Sequence, residues 1–152
     1  QYQRKLSGPL MDRIDLQINV PRIAVNELRK KVTDKNGAEE TAKMKKQVIQ
    51  AREVQLARFS NFPPKVDPPS EKKKKKIFTN SELSSKEIEK FAELDPVAEK
   101  FVETATKNQF LSPRSYYRVL KVARTIADLA GAEKVTEGHL AEAFSYRLRN
   151  EV

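Results

Sequence analysis

The chain has 152 residues, of which 38% are hydrophobic and 34% charged, with a formal net charge of +9. That length predicts one domain with an added fragment, and the low apolar share suits a helical unit with one modest core. With no cysteine and the single histidine His139, disulfides, thiolate metal sites and multi-histidine sites are excluded.

No apolar stretch of about 18 residues and no signal-peptide pattern occur, so a cytoplasmic protein without a membrane partner is expected. The positive charge favours anionic partners such as nucleotide, nucleic acid or acidic protein. Lys72 to Lys76, however, concentrate part of that charge in one short run.

Residues 1–22 read as the tail of a larger domain. They begin at Gln1 rather than at a methionine. They contain a short helical turn, the step Asp12-Arg13, and then a predicted strand over residues 15–20. One strand cannot satisfy its own backbone groups, so sheet partners are expected outside this segment. Arg13 stands beside Asp12 and Asp15. Either it closes a local Arg–Asp pair that caps the turn, or it offers a cation across a subunit interface.

Residues 23–60 read as helical, weakly over 26–32 and more strongly from 38 to about 59. Met44, Val48, Ala51 and Phe59 fall near one face with Ile49 and Leu56 beside them, and the opposite side is rich in Lys, Arg, Gln and Glu. Residues 61–79 carry Pro63, Pro64, Pro68, Pro69 and the lysine run, which predicts a disordered, solvated linker in preference to a nuclear-targeting or polyanion-binding tract.

Residues 80–152 form a helical unit with clear punctuation. Ser84-Ser85-Lys86-Glu87 is a capping box opening a helix to Leu94. Asp95-Pro96 opens the next, with Val97, Phe101, Val102 and Ala105 on one face. Ser112-Pro113 opens a long helix to Ala130, stopped by Gly131. Thr136 caps a last helix whose Leu140, Ala141, Phe144 and Leu148 are expected to face inward.

The long helix carries the candidate chemistry. At about 100° per residue, Tyr116, Val119, Leu120, Ala123, Ile126, Ala127 and Ala130 share one side, while Arg114, Arg118 and Lys121 line up opposite, with Thr125 extending the stripe. Such a stripe is either a solvated surface or an anion contact. Arg114 lies in the first turn, where free N–H groups and the helix dipole also favour an anion. Arginine's planar fork suits phosphate. No G-x-x-x-x-G-K-[ST] phosphate loop, no strand ending in paired acids and no nucleophile–His–acid grouping occur, so no catalytic centre assembles from this chain alone.

Two long motifs in order carry a resemblance. Tyr2-x-x-Lys5-Leu-Ser-Gly-Pro-Leu-x-Asp-Arg-Ile-Asp-Leu16 resembles the end of the ATPase core in the magnesium-chelatase-like AAA+ proteins of the YifB/ComM type. Ser112-x-Arg114-x-Tyr-x-Arg118-x-Leu-Lys121-Val-Ala-Arg124-Thr-Ile-Ala-Asp128 resembles that family's C-terminal helical signature. Asn80-x-x-Leu83, Val135-Thr-x-x-His139-Leu-x-x-Ala143 and Tyr146-Arg147 match in spacing.

The resemblance implies a mainly α fold: a helical C-terminal lid, a helix bundle, preceded by a helix–strand remnant of the α/β ATPase core. Residues 1–22 are that remnant, with residues 14–20 its last strand. Residues 23–60 are the first lid helices, 61–79 a linker and 80–152 the lid proper. The resemblance further implies that Arg13 is an arginine finger reaching a neighbouring subunit's γ-phosphate. It makes Arg114 the sensor-2 arginine on the subunit's own nucleotide, with Arg118 and Lys121 as further nucleotide-binding candidates.

ATP and Mg²⁺ are expected in the full-length ATPase and not in this fragment, which alone is expected to be inactive. The implied partners are an N-terminal core, copies of itself in a hexameric ring, and DNA. Without its sheet, the remnant 1–22 is predicted to be disordered in whole or part, or packed in a non-native way. Two other classes stay open: a stand-alone basic nucleic-acid-binding module using the Arg114–Arg118–Lys121 stripe and the lysine run, and a structural oligomerisation domain.

Overall fold

The starts of the last four described helices follow from the side chain that precedes each. The computed structural model describes residues 13–22, 34–60, 76–109 and 112–147. Within them lie α1 (Asp34–Ser60), α2 (Ser85–Phe91), α3 (Pro96–Gln109), α4 (Pro113–Leu129) and α5 (Glu137–Ser145), with a 3-10 turn at Asn80–Glu82 between α1 and α2.

The orphan N–H groups at the starts are satisfied locally. Ser84 and Glu87 form the predicted capping box, the Ser84 N–H donating to Glu87 Oε2 at 2.7 Å. Asp95 Oδ1 accepts from the Ala98 N–H at 2.7 Å, and Ser112 Oγ from the Ser115 N–H at 3.2 Å. In α5 the histidine takes the place of the usual Glu: the Thr136 N–H donates to His139 Nδ1 at 3.1 Å, which puts the ring proton on Nε2. His139 is thus a cap.

The end of α4 is a Schellman motif. Gly131 has φ 69°. Its N–H donates to Asp128 O at 3.2 Å, and the Ala132 N–H to Ala127 O at 2.8 Å.

The core sits around α4. Val119, Leu120, Ala123 and Ala127 are buried there against Leu140, Ala143 and Phe144 of α5, Ile88 of α2, Ala98 and Val102 of α3, and Leu83. Burying each of the larger side chains contributes roughly 1.5–3 kcal/mol before entropy is charged. A parallel bridge between Leu94 and Val135 stitches the α2–α3 and α4–α5 connections together. It explains why α2 stops at Phe91 instead of reaching Leu94. The chain leaves the helix at Ala92 so that Glu93 O can accept the Val135 N–H at 2.8 Å and the Asp95 N–H can donate to Val135 O at 3.1 Å.

Two helix faces are rotated from the sequence expectation. On α3, Val97 is exposed and Ala98 buried; on α5, Ala141 is exposed and Ala143 buried. A periodic stripe fixes a broad face, and the neighbours choose its centre. Ile77, inside the expected linker, already packs against the core. The weak helix at 26–32, residues 61–75 and Leu148 fall outside the described residues.

Among the described residues, contacts hold only the last turns of α1. Ala51, Gln55 and Phe59 are buried, whereas residues 38–50 are all exposed, Met44 at 61% and Val48 at 50%. The expected apolar stripe exists, but the bundle covers just its C-terminal half. No strand forms among the described residues of the tail. The predicted strand at 15–20 has no sheet partner, so Ile14, Leu16, Ile18 and Val20 stay exposed.

Candidate functional site

Among the described residues, side-chain donors converge most densely on a carboxylate of α4. Asp128 is 3% exposed, and side chains from α1, the 3-10 turn and α4 itself converge on it. Arg58 grips it through two bonds, Nη1 to Oδ2 at 3.0 Å and Nη2 to Oδ1 at 2.5 Å. Asn80 Nδ2 donates at 2.8 Å, Gln55 Nε2 at 3.2 Å and Arg124 Nε at 3.0 Å. Arg124, 1% exposed, also turns Nη1 to the Glu133 carbonyl and Nη2 to that of Ala132, both at 2.6 Å.

Burial alone would raise the Asp128 carboxyl. The bonds from Arg58 and Asn80 and the charges of Arg124 and Arg58 outweigh it and hold the group below its ordinary value. Arg124 and Asp128 are therefore spoken for: they lock α1 and the α4–α5 connection onto α4. Sequence reasoning missed Arg58 and Gln55, and met Asn80 only as part of the motif Asn80-x-x-Leu83. The available signal was Arg124 and Asp128 four apart at the border of the apolar face, where one turn of helix brings the two side chains together.

Beside this knot runs the cationic stripe, and the structure divides it. At its C-terminal end Thr125 accepts from Asn80 Nδ2 at 3.1 Å. Lys121 Nζ donates to the Ser81 carbonyl at 3.0 Å. Partial burial lowers the Lys121 ammonium from its ordinary value, Asp15 pulls it back up, and Arg118 adds to the fall. Arg118 Nε pairs with Asp15 Oδ1 at 3.2 Å. Arg114, in the first turn of α4, is exposed. The stripe is thus neither a uniformly solvated face nor a free row of three cations.

Arg13 is exposed at the start of the described tail. Asp15 is turned to Arg118, and Asp12 falls outside the described residues. The tail is anchored again where the Gln17 N–H donates to Tyr146 O at 2.8 Å, just after α5. A groove of about 330 Å³ adjoins the knot, lined by Val48, Arg52, Gln55, Asn80, Thr125 and Leu129 among others, and includes none of the four predicted site residues. Among the described residues no three His, Asp or Glu side chains come together as a metal site, and no helix is long and apolar enough to cross a membrane.

Comparison with known proteins places this architecture. The chain is 37% identical to the competence protein ComM of Haemophilus influenzae. It is 35% identical to the uncharacterized protein YifB of Escherichia coli and, equally, to that of Salmonella typhimurium. Each match covers 97% of this chain and 25% of the relative. The family model of the magnesium chelatase subunit ChlI C-terminal region matches residues 38–147, and that of magnesium chelatase subunit ChlI matches residues 1–28. The chain belongs to the YifB/ComM group of the magnesium-chelatase-like family.

In this magnesium-chelatase-like chain the C-terminal match takes in every member of the Asp128 knot together with Arg114, Arg118 and Lys121. The other match takes in Arg13 and Asp15. The fold around α4 is that family's helical C-terminal lid. The chain spans about a quarter of the length of the curated relatives it matches.

Proposed function

We propose that this chain is the lid and sensor segment of a ring-forming ATPase, and that it acts on nucleotide through arginines. Arg114 contacts the phosphates of the subunit's own nucleotide, and Arg13 reaches the γ-phosphate held by a neighbouring subunit. The observation that carries this reading is the contrast along α4. Its other cations are engaged by protein groups, while Arg114 stands exposed in the first helical turn, where the helix end also favours phosphate oxygens.

ATP with Mg²⁺, bound by the parts of the protein outside this chain, supplies the phosphoryl group and its charge. What this chain contributes is positioned guanidinium: Arg114 steadies the lid over the phosphates, and Arg13 stabilises charge that grows on the neighbour's γ-phosphate oxygens. Because Arg114 can make its contact only when lid and nucleotide meet, the same bond ties lid angle to nucleotide state. The motor is proposed to act on DNA, a reading supported by the +9 charge and by the name of one relative, a competence protein. A nucleic-acid contact through the whole stripe is the weaker alternative, since Arg118 and Lys121 already hold Asp15 and Ser81.

In the full-length protein Arg114→Ala is expected to cut ATP turnover by roughly tenfold or more with the lid still folded. Arg13→Ala is expected to do the same even where its own nucleotide site is intact. Mixing Arg13→Ala subunits with subunits unable to bind ATP checks the direction, because the defect must appear in the neighbour. Unchanged turnover in both variants would refute the assignment.

A further inference from the structure

The ion pair between Asp15 and Arg118 joins the two halves of the proposed site. Arg13 lies two residues before Asp15, and Arg118 lies one helical turn beyond Arg114, about 6 Å along the axis. The Arg118 side chain is 20% exposed and that of Asp15 53% exposed. The cation is therefore held against the bundle and the carboxylate docks onto it from the solvent side. A second contact, Gln17 N–H to Tyr146 O, fixes the backbone two residues further on. Asp15 also pulls on Lys121, whose charge Arg118 repels, so this carboxylate relieves two neighbouring cations at once.

Resting on the function proposed above, we infer that Asp15 and Arg118 are positioning residues. Their ion pair docks the segment bearing Arg13 onto the helix bearing Arg114, so that the placement of the finger offered to a neighbour follows the position of the helix that senses the subunit's own nucleotide. The strength of the contact suits this task. A half-exposed ion pair is weak enough to form and break as a lid moves. The buried pairs around Asp128 are too costly to separate, and they keep α4 and its partners moving as one body.

The test uses the full-length protein, with ATP as the probe. Asp15→Asn and Arg118→Gln are each expected to lower kcat about fivefold with KM for ATP unchanged, the pattern of residues that act by placing Arg13; a raised KM would instead mark Arg118 as a nucleotide contact and overturn the positioning role. The double variant should be no worse than either single one. The swap, Asp15→Arg with Arg118→Asp, should restore turnover to within about twofold of wild type. In mixed rings, subunits carrying Asp15→Asn should depress hydrolysis by wild-type neighbours, an effect that a purely structural role would not produce.

If Arg13→Ala abolishes turnover while the Asp15 and Arg118 variants hydrolyse ATP normally, or if the swap fails to rescue, the positioning role is wrong and the finger assignment survives. If Arg13→Ala is itself silent, both fall together.

Discussion

A single carboxylate organises more of this structure than any apolar side chain. Asp128 accepts from Arg58, Asn80, Gln55 and Arg124, and with it in place a buried guanidinium, that of Arg124, and a partly buried one, that of Arg58, can lie together. Asp128→Asn keeps the shape but removes the charge, which leaves Arg124 and Arg58 without a counter-ion. The expected cost is about 3–5 kcal/mol, read from urea unfolding.

The pH dependence has a definite sign. The carboxyl is held below its ordinary value of 3.8 in the folded chain, so its stabilisation is fully present above the unfolded value and is lost as pH falls through the lower, folded one. The gap between wild type and Asp128→Asn should thus be constant from neutral pH to about 4 and shrink only below that. Part of this knot was legible. Arg124 and Asp128 stand one turn apart in a readable motif, and Asn80 belongs to another, though nothing in the two motifs says that they meet. Arg58, Asn80 and Gln55 arrive from 70, 48 and 73 residues away, and no local pattern says which polar residues of a solvated-looking helix turn inward.

At the scale of elements, starts were easier to read than ends or faces. A capping side chain bonds to groups two or three residues away, so Ser84, Asp95, Ser112 and Thr136 announce their helices within a short window. The end of α2 is decided by a bridge to Val135, some forty residues on, and only tertiary structure reveals it.

Gly131 is the exception, an end written locally. Its φ of 69° lies in the left-handed region, and an added Cβ would meet nothing within 4 Å. Gly131→Ala should therefore lose about 1–2 kcal/mol through backbone conformation alone, seen as a lower melting temperature. Gly138→Ala is the matched control. There a Cβ would make ordinary contact with Thr136 Oγ1 at 3.8 Å inside a helix, so the change should stabilise by about 0.4–1 kcal/mol.

At the scale of the molecule, α4 is the hub for α1, α2 and α5, with α3 packed on α5, and Arg114, the cation proposed to meet phosphate, stands exposed on it. This much was readable, because the helix carries both an apolar face and a cationic stripe. The fate of the tail was readable only in part. The alternation Ile14, Leu16, Ile18, Val20 speaks of a sheet, yet the contacts made by the described tail are set by Asp15 and Gln17.

The long first helix adds a prediction of its own. Backbone amides over residues 41–49 should exchange with deuterium quickly, and those over 51–59 only on global opening, because the neighbours protect just the second set. A rod that the described residues clamp only over its last turns is a cantilever: thermal bending grows with distance from Ala51, toward Met44 and beyond. Any load applied there is delivered as torque at the clamp, where Arg58 meets the carboxylate that anchors it.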